Sequence, residues 1–125
     1  MDIPKNLLFT KDHEWARVEN NIVTIGITDF AQSELGDIIF VEFPEIGDMV
    51  DVGSSAGTIE AVKTVTDIFS PVKGKIIEIN NGIDNSPEVM NTDPYGDGWL
   101  MKIELTDEDC SSELMSPSEY ESFVN

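Results

Sequence analysis

Lys63 is the residue whose surroundings most strongly suggest chemistry in this sequence. Two short β-like segments flank it, with Gly53 ten residues before the lysine and Gly74 eleven residues after it. The pattern predicts a β-hairpin with a tight turn at Val62-Lys63-Thr64. A hairpin tip holds its amine in water on a rigid base, so a modifying enzyme could reach this amine and ignore the other five lysines. The position therefore indicates a swinging-arm carrier rather than a catalyst.

Two other motifs resemble ligand-binding loops but lack residues that such loops need. Gly53-Ser54-Ser55-Ala56-Gly57 has no Gly-Lys-Ser/Thr ending of a phosphate loop, so tight backbone packing accounts better for its glycines. The stretch 93–104 matches a calcium loop in part, but Tyr95 replaces an oxygen ligand and a strand pattern follows Gly98. A turn that leads into a strand is the better interpretation.

The remaining reactive side chains are few. Cys110 is the only cysteine, so neither an intrachain disulfide nor a cysteine metal cluster can form, and because it lies in an acidic run we do not expect a reactive nucleophile. His13 is the only histidine, and beside Trp15 we expect it to lie on the surface or to pack. Glu14 and Asp67 are by default solvated acids, and their interest depends on what they face.

The composition indicates one domain, residues 1–125, with a single core. The net charge of −18 argues against binding to nucleic acid or to anionic membranes and favours partners with basic docking faces. A surface selected for solubility is the other interpretation of this charge. No apolar run is long enough to span a membrane, and no signal or transit peptide is recognisable, so we expect a cytoplasmic monomer.

Most of the chain has a β pattern. The predicted strands cover residues 22–27, 37–43, 49–52, the two arms of the Lys63 hairpin, 74–80 and 99–105. Predicted helices are 30–35, capped by Thr28 or Asp29 and ended by Gly36, a single turn at 85–90, and a C-terminal helix. The last should begin at the capping box Ser116-Pro117-Ser118-Glu119. These elements predict a compact β-sandwich with small peripheral helices.

Taken together, these residues resemble the H protein family of the glycine cleavage system. The resemblance covers almost the whole chain in order, and the combination is far more specific than any of its parts. The matching segments are Glu60-Ala61-Val62-Lys63, Ser70-Pro71-Val72 with Gly74, His13-Glu14-Trp15, Gly26-Ile27-Thr28-Asp29, Ala31-Gln32, Leu35-Gly36-Asp37, Val41-Glu42 with Pro44, and Pro94-Tyr95 with Gly98-Trp99. Small departures from the family pattern occur at Phe30, Ala61 and Thr64.

The resemblance implies both a fold and a site. The fold would be mainly β, a flattened barrel-sandwich hybrid like lipoyl and biotinyl domains, with short peripheral helices, a C-terminal helix and a lipoyl hairpin at about residues 57–74. Lipoate would be attached through an amide to Lys63. Glu60 and Asp67 would serve hairpin recognition, and Glu14 would lie where the arm docks. Biotin carriers usually have Met on both sides of the lysine, so Val62 and Thr64 favour lipoate.

The resemblance also implies a role and partners. The chain would be a carrier and substrate, not an enzyme, shuttling the aminomethyl group of glycine between the P protein (glycine decarboxylase), the T protein (aminomethyltransferase) and the L protein (dihydrolipoamide dehydrogenase). A lipoate ligase or an octanoyltransferase would modify it.

Three other functions fit the sequence to different degrees. A lipoyl donor in a relay to other lipoyl-dependent complexes would have the same sequence features, so this alternative stays open. A stand-alone enzyme lacks support, because no nucleophile–base pair or metal cluster is recognisable. A phosphopantetheine carrier would need Asp-Ser-Leu at a helix start in a helical bundle, whereas this chain is mostly strand.

Overall fold

The structure, a computed structural model, describes residues 3–106 and 114–124. Within these ranges the chain forms nine strands and four short helices. The strands are β1 (Leu8–Phe9), β2 (Glu14–Glu19), β3 (Ile22–Ile27), β4 (Ile38–Glu42), β5 (Met49–Val50), β6 (Ser55–Ala61), β7 (Val65–Phe69), β8 (Gly74–Ile79) and β9 (Met101–Leu105). The helices are α1 (Asp29–Leu35), α2 (Gly82–Asn85), α3 (Val89–Thr92) and α4 (Pro117–Val124).

The strands form two antiparallel sheets. The larger sheet has the order β1-β2-β3-β9-β8-β5, and the smaller has the order β4-β6-β7. The two sheets do not close into a barrel. The predicted fold class, mainly β with short helices and a C-terminal helix, is confirmed.

One apolar core joins the two sheets. Ile25 and Ile103 from the larger sheet and Ile59 from the smaller are fully buried members of the same cluster. Each such side chain stabilises the fold by roughly 1.5–3 kcal/mol through removal of its apolar surface from water. A second, smaller cluster contains Phe9 and Tyr120, whose rings stack with centroids 4.6 Å apart and fix the C-terminal helix to the sheet.

The Lys63 hairpin has the predicted form. Strands β6 and β7 pair antiparallel with Glu60 opposite Val65, and the Ala61 amide donates to the Thr64 carbonyl at 2.8 Å. Residues 62–64 are therefore the tight turn. A Cβ at Gly57 would clash with the Glu42 carbonyl oxygen, so close backbone packing accounts for this glycine, as expected. The same expectation is wrong for Gly53, where a Cβ would meet nothing within 4 Å and the φ of +81° accounts for the glycine.

Local signals at two helices are confirmed. The Thr28 hydroxyl caps α1 by accepting from the Ala31 amide, and Gly36 ends the helix at φ +77°. At α4, the Ser116 hydroxyl accepts from the Glu119 amide while the Glu119 carboxylate accepts from the Ser116 amide. These reciprocal bonds are the capping box that the sequence predicts.

Three features differ from the expectations, one of them strand β1 (Leu8–Phe9), which the sequence pattern did not predict. The single turn predicted at 85–90 is wrong, because two short helices, α2 and α3, lie on either side of residues 86–88. Strand β2 was not predicted, since its residues do not alternate cleanly and Glu14, Trp15 and Ala16 are all buried. Its burial on both faces hides the period of two that marks a half-buried strand.

Candidate functional site

Lys63 is exposed at the hairpin tip, and its side chain lies against the α1–β4 junction. A Cβ built at Gly36 would be 3.3 Å from the Lys63 Cε, so the lysine stem covers the bare backbone of this glycine. The Val62 amide donates to the Asp37 carbonyl at 3.0 Å and ties the tip to the same junction. The amine is thus accessible, yet it projects from a defined position.

Glu14 is not a solvated acid. Its side chain is only 3% exposed, and its two carboxyl oxygens accept from the Thr10 hydroxyl at 3.1 Å and the Phe69 amide at 2.9 Å. Burial raises the pKa of Glu14 to about 8, although both hydrogen bonds act in the opposite direction. The carboxyl group is therefore mostly protonated at neutral pH.

Two cavities meet at Glu14. The larger, of about 600 Å³, is also lined by Lys11, Gly53 and Pro71. The smaller, of about 140 Å³, is lined by apolar side chains together with polar and acidic residues, and Asp12 and Glu14 line both cavities. Leu35, which precedes Gly36 in the chain, lines the smaller cavity. The hairpin strands β6 and β7 contribute Ile59 and Asp67 to the same lining, so this cavity lies against the hairpin and includes the buried carboxyl group.

Acids dominate the polar lining of the smaller cavity. Asp12, Glu14, Glu34 and Asp67 line it, together with His13. Burial lowers the pKa of His13, against the opposing influence of Asp12 and Glu34. The neutral imidazole adds no positive charge near neutral pH, so the cavity suits a cationic group.

His13 packs, one of the two expectations for it. Its Nδ1 lies 2.9 Å from the Tyr120 hydroxyl, which is also 2.8 Å from the Thr28 hydroxyl, and its ring lies 4.5 Å from that of Phe30. Its backbone adopts φ +65° at the bend before β2. The bend and the C-terminal helix thus position the residues next to Glu14.

The two acids of the hairpin share one face, but of the two only Asp67 lines the smaller cavity. Asp67 lines the smaller cavity with Glu14, and its carboxylate accepts from Thr58 at 3.5 Å. Glu60 is exposed, with Val65 and Phe40 as its cross-strand neighbours on the outer face of the smaller sheet. Asp67 is also exposed, and because it lies two residues from Val65, it shares the outer face of the hairpin with Glu60. Asp67 is therefore a solvated acid, as expected by default, although it also lines the smaller cavity with Glu14.

The suspected calcium loop is a turn. The Asp93 carboxylate accepts from the Asp97 amide at 2.9 Å, a bond within the loop itself. Among the described residues, no group of three or more His, Cys, Asp and Glu side chains could hold a metal ion. Across the same ranges no helix is long and apolar enough to cross a membrane. The expectation for Cys110 lies outside the described residues.

A two-sheet β fold with an exposed lysine at a hairpin tip is the arrangement that the family resemblance predicts. The glycine cleavage H-protein family model matches residues 7–125, and the chain belongs to this family.

Sequence identity to known relatives extends along nearly the full length of the chain. The chain is 51% identical over 119 residues to the glycine cleavage system H protein of Rubrobacter xylanophilus, with 95% of this chain and 92% of the relative covered. It is 47% identical over 122 residues to that of Carboxydothermus hydrogenoformans, covering 98% and 94%. A crystal structure of the H protein from Mycobacterium marinum superposes with a TM-score of 0.89 at 39% identity, covering 96% and 97%.

Proposed function

We propose that this chain is the lipoyl-lysine carrier of the glycine cleavage system, with lipoate joined to Lys63 and the aminomethyl group of glycine shuttled between the P, T and L proteins. The observation that carries the proposal is the exposed lysine at the tip of a hairpin whose strands line a cavity that also contains a buried carboxyl group, in a chain of the H-protein family. In this role the chain is a non-catalytic carrier and substrate.

Lys63 fits amide formation. Its Nζ would attack the carbonyl carbon of an activated lipoyl or octanoyl group, the activating group would leave, and the nitrogen would lose a proton. The product is a neutral amide, so the modification removes one positive charge from the tip. When bound, the lipoyl group would supply a disulfide that opens as it accepts the aminomethyl group, and the dithiol left after transfer would be reoxidised by the L protein.

Glu14 would hold the cationic end of the loaded arm. A primary ammonium beside a carboxyl group favours the carboxylate, so binding would lower the pKa of Glu14 from about 8 and release its proton. The resulting charge-assisted hydrogen bond would be worth roughly 1.5–3 kcal/mol. Asp67, on the same cavity, adds negative charge that favours the cation.

Glu60 would serve recognition by the lipoate ligase or octanoyltransferase. It is exposed on the outer face of the hairpin, three residues before Lys63, with half-exposed Phe40 and Val65 beside it. An acid flanked by apolar side chains next to the target amine gives such an enzyme both a charge and an apolar surface to bind.

Peptide mass spectrometry of protein from its native host tests the attachment site. We expect one lipoyl adduct, on Lys63; an adduct on Lys73 or Lys75 would contradict the proposal. The matched variant Lys63→Arg keeps a long cation on an exposed turn, so its stability should change by less than about 0.5 kcal/mol. It should carry no lipoate and support no glycine decarboxylation with the three partner proteins. Lipoylated protein that is inactive with these partners would instead favour the lipoyl relay.

A further inference from the structure

Asn91 makes a three-way connection below the hairpin tip. Its side chain lies on α3 (Val89–Thr92), where Oδ1 accepts from the Ile38 amide at 3.0 Å and Nδ2 donates to the Gly36 carbonyl at 2.8 Å. Nδ2 also lies 3.2 Å from the Gln32 Oε1 on α1. One carboxamide thus holds both ends of the Gly36–Ile38 segment.

That segment supports the hairpin tip. The residue between the two Asn91 contacts is Asp37, whose carbonyl accepts from the Val62 amide at 3.0 Å. In the described part of the chain, this bond is the one that joins residues 62–64 to the protein outside the hairpin. The Lys63 stem in turn lies against Gly36. Both contacts of the tip therefore depend on the segment that Asn91 holds.

We propose that Asn91 is a positioning residue for the acylation of Lys63, because its carboxamide fixes the Gly36–Ile38 segment on which the hairpin tip rests. The inference depends on the proposed function, since it assumes that Lys63 is the residue modified. It adds a residue from α3, which is 28 positions away from Lys63 in the sequence and does not touch it by hydrogen bond.

Asn91 would affect acylation through the conformational entropy that residues 62–64 lose when the acylating enzyme binds them. Val62 and Lys63 are exposed, so they have little packing to restrain them. An enzyme that binds a mobile tip must order it, and that cost weakens binding without changing the chemical step. A tip held in advance by Asp37 and Gly36 avoids this cost. Loss of Asn91 should therefore raise the KM for the protein substrate more than it lowers kcat.

Asn80 provides a matched control. Its Nδ2 donates to the Asp97 and Trp99 carbonyls at 2.8 and 2.7 Å, and its Oδ1 accepts from the Gly82 amide at 3.1 Å. Asn80→Ala and Asn91→Ala thus each remove a carboxamide with three hydrogen-bond contacts. Only Asn91 lies under the hairpin tip, so a general loss of stability would affect both variants alike.

The experiment uses the full chain, unmodified, in two measurements. Amide hydrogen exchange at Val62 should accelerate about tenfold in Asn91→Ala and remain within about twofold of wild type in Asn80→Ala. With an ATP-dependent lipoate ligase, ATP and lipoate, kcat/KM for Asn91→Ala should fall about tenfold, mainly through KM. If Asn91→Ala does not fold, Asn91→Asp keeps the shape and the Ile38 contact but loses the donor to Gly36.

Each result decides the inference. Equal effects of the Asn80 and Asn91 variants, unchanged Val62 exchange, or faster exchange with unchanged KM would overturn it. The exchange measurement needs no lipoate, so it reports on the support of the tip even if wild type is acylated elsewhere. Acylation at another lysine would refute the proposed function, and with it the role of Asn91 in acylation, while the Val62 result would stand.

Discussion

Glu14 combines two properties that usually exclude each other. It is buried, yet it lines two cavities and accepts hydrogen bonds from Thr10 and Phe69. Burial raises its pKa to about 8, so under the proposed function this acid would be mostly neutral without the loaded arm and would ionise beside a cationic amine. Such an arrangement makes the charge of the site depend on its occupant.

The first prediction concerns stability and pH. The pKa of Glu14 is raised from 4.5 to about 8 on folding, so the folded state binds a proton that the unfolded state has lost. The contribution of this proton to the free energy of unfolding is complete below about pH 4.5 and is lost as pH rises towards 8. The free energy of unfolding should fall by at most about 1.4 kcal/mol per pH unit in this range. Urea unfolding between pH 5 and 8 should show wild type losing stability relative to Glu14→Gln. Parallel pH profiles would show that Glu14 titrates normally.

The second prediction concerns the amine-loaded carrier. Glu14→Ala should leave acylation of Lys63 intact but raise spontaneous ammonia and formaldehyde release, without T protein, about tenfold or more, because roughly 1.5–3 kcal/mol of docking is lost. Glu14→Gln is the informative control. If the carboxylate charge holds the amine, Gln should behave like Ala. A Gln variant with the wild-type lifetime would mean that a neutral acceptor is sufficient.

At the scale of elements, the sequence predicted the strands, turns and helix caps that depend on residues close together in the chain. Strand β3, the Lys63 turn, the Thr28 cap and the Ser116 capping box all depend on short-range patterns, and all are confirmed. The burial of Glu14 depends on Phe69, 55 residues further along the chain, and no local pattern encodes that contact. Single-sequence periodicity likewise could not show that Asn91 reaches Gly36.

The third prediction concerns the C-terminal helix α4. Tyr120→Phe keeps the ring stacked on Phe9 but removes the hydroxyl that bonds His13 and the fully buried Thr28. Leaving buried polar partners unsatisfied should cost about 1–3 kcal/mol of unfolding free energy, measured by urea titration. Ser116→Ala, which removes only the exposed cap of the same helix, should cost about 1 kcal/mol. A Tyr120→Phe variant as stable as wild type would show that the helix is held by packing alone.

At the scale of the whole molecule, charge is the dominant property. The chain has 25 acidic residues against 7 Lys and Arg, which gives a net charge of −18. Lys102 and Glu78, 3.9 Å apart and both partly exposed, form an ion pair, but the bases are too few to pair with more than a minority of the acids. Most acids are therefore not neutralised by a neighbouring base. The resulting field favours partners with basic surfaces, although solubility alone would also account for it.

The last prediction separates these two roles. If the field steers partner encounter, kcat/KM for reoxidation of the dihydrolipoyl carrier by the L protein should fall as salt rises from about 0.1 M to about 1 M, because the Debye length shortens from about 10 Å to about 3 Å. The change should lie in association, so kcat should be little affected. Reoxidation of free dihydrolipoamide by the L protein is the control, since this neutral molecule gives the direct effect of salt on the enzyme. If kcat/KM has the same salt dependence for the carrier and for free dihydrolipoamide, the charge serves solubility. A steeper dependence for the carrier would assign the acids a part in docking, because the two substrates share the reacting group and differ in the protein that bears it.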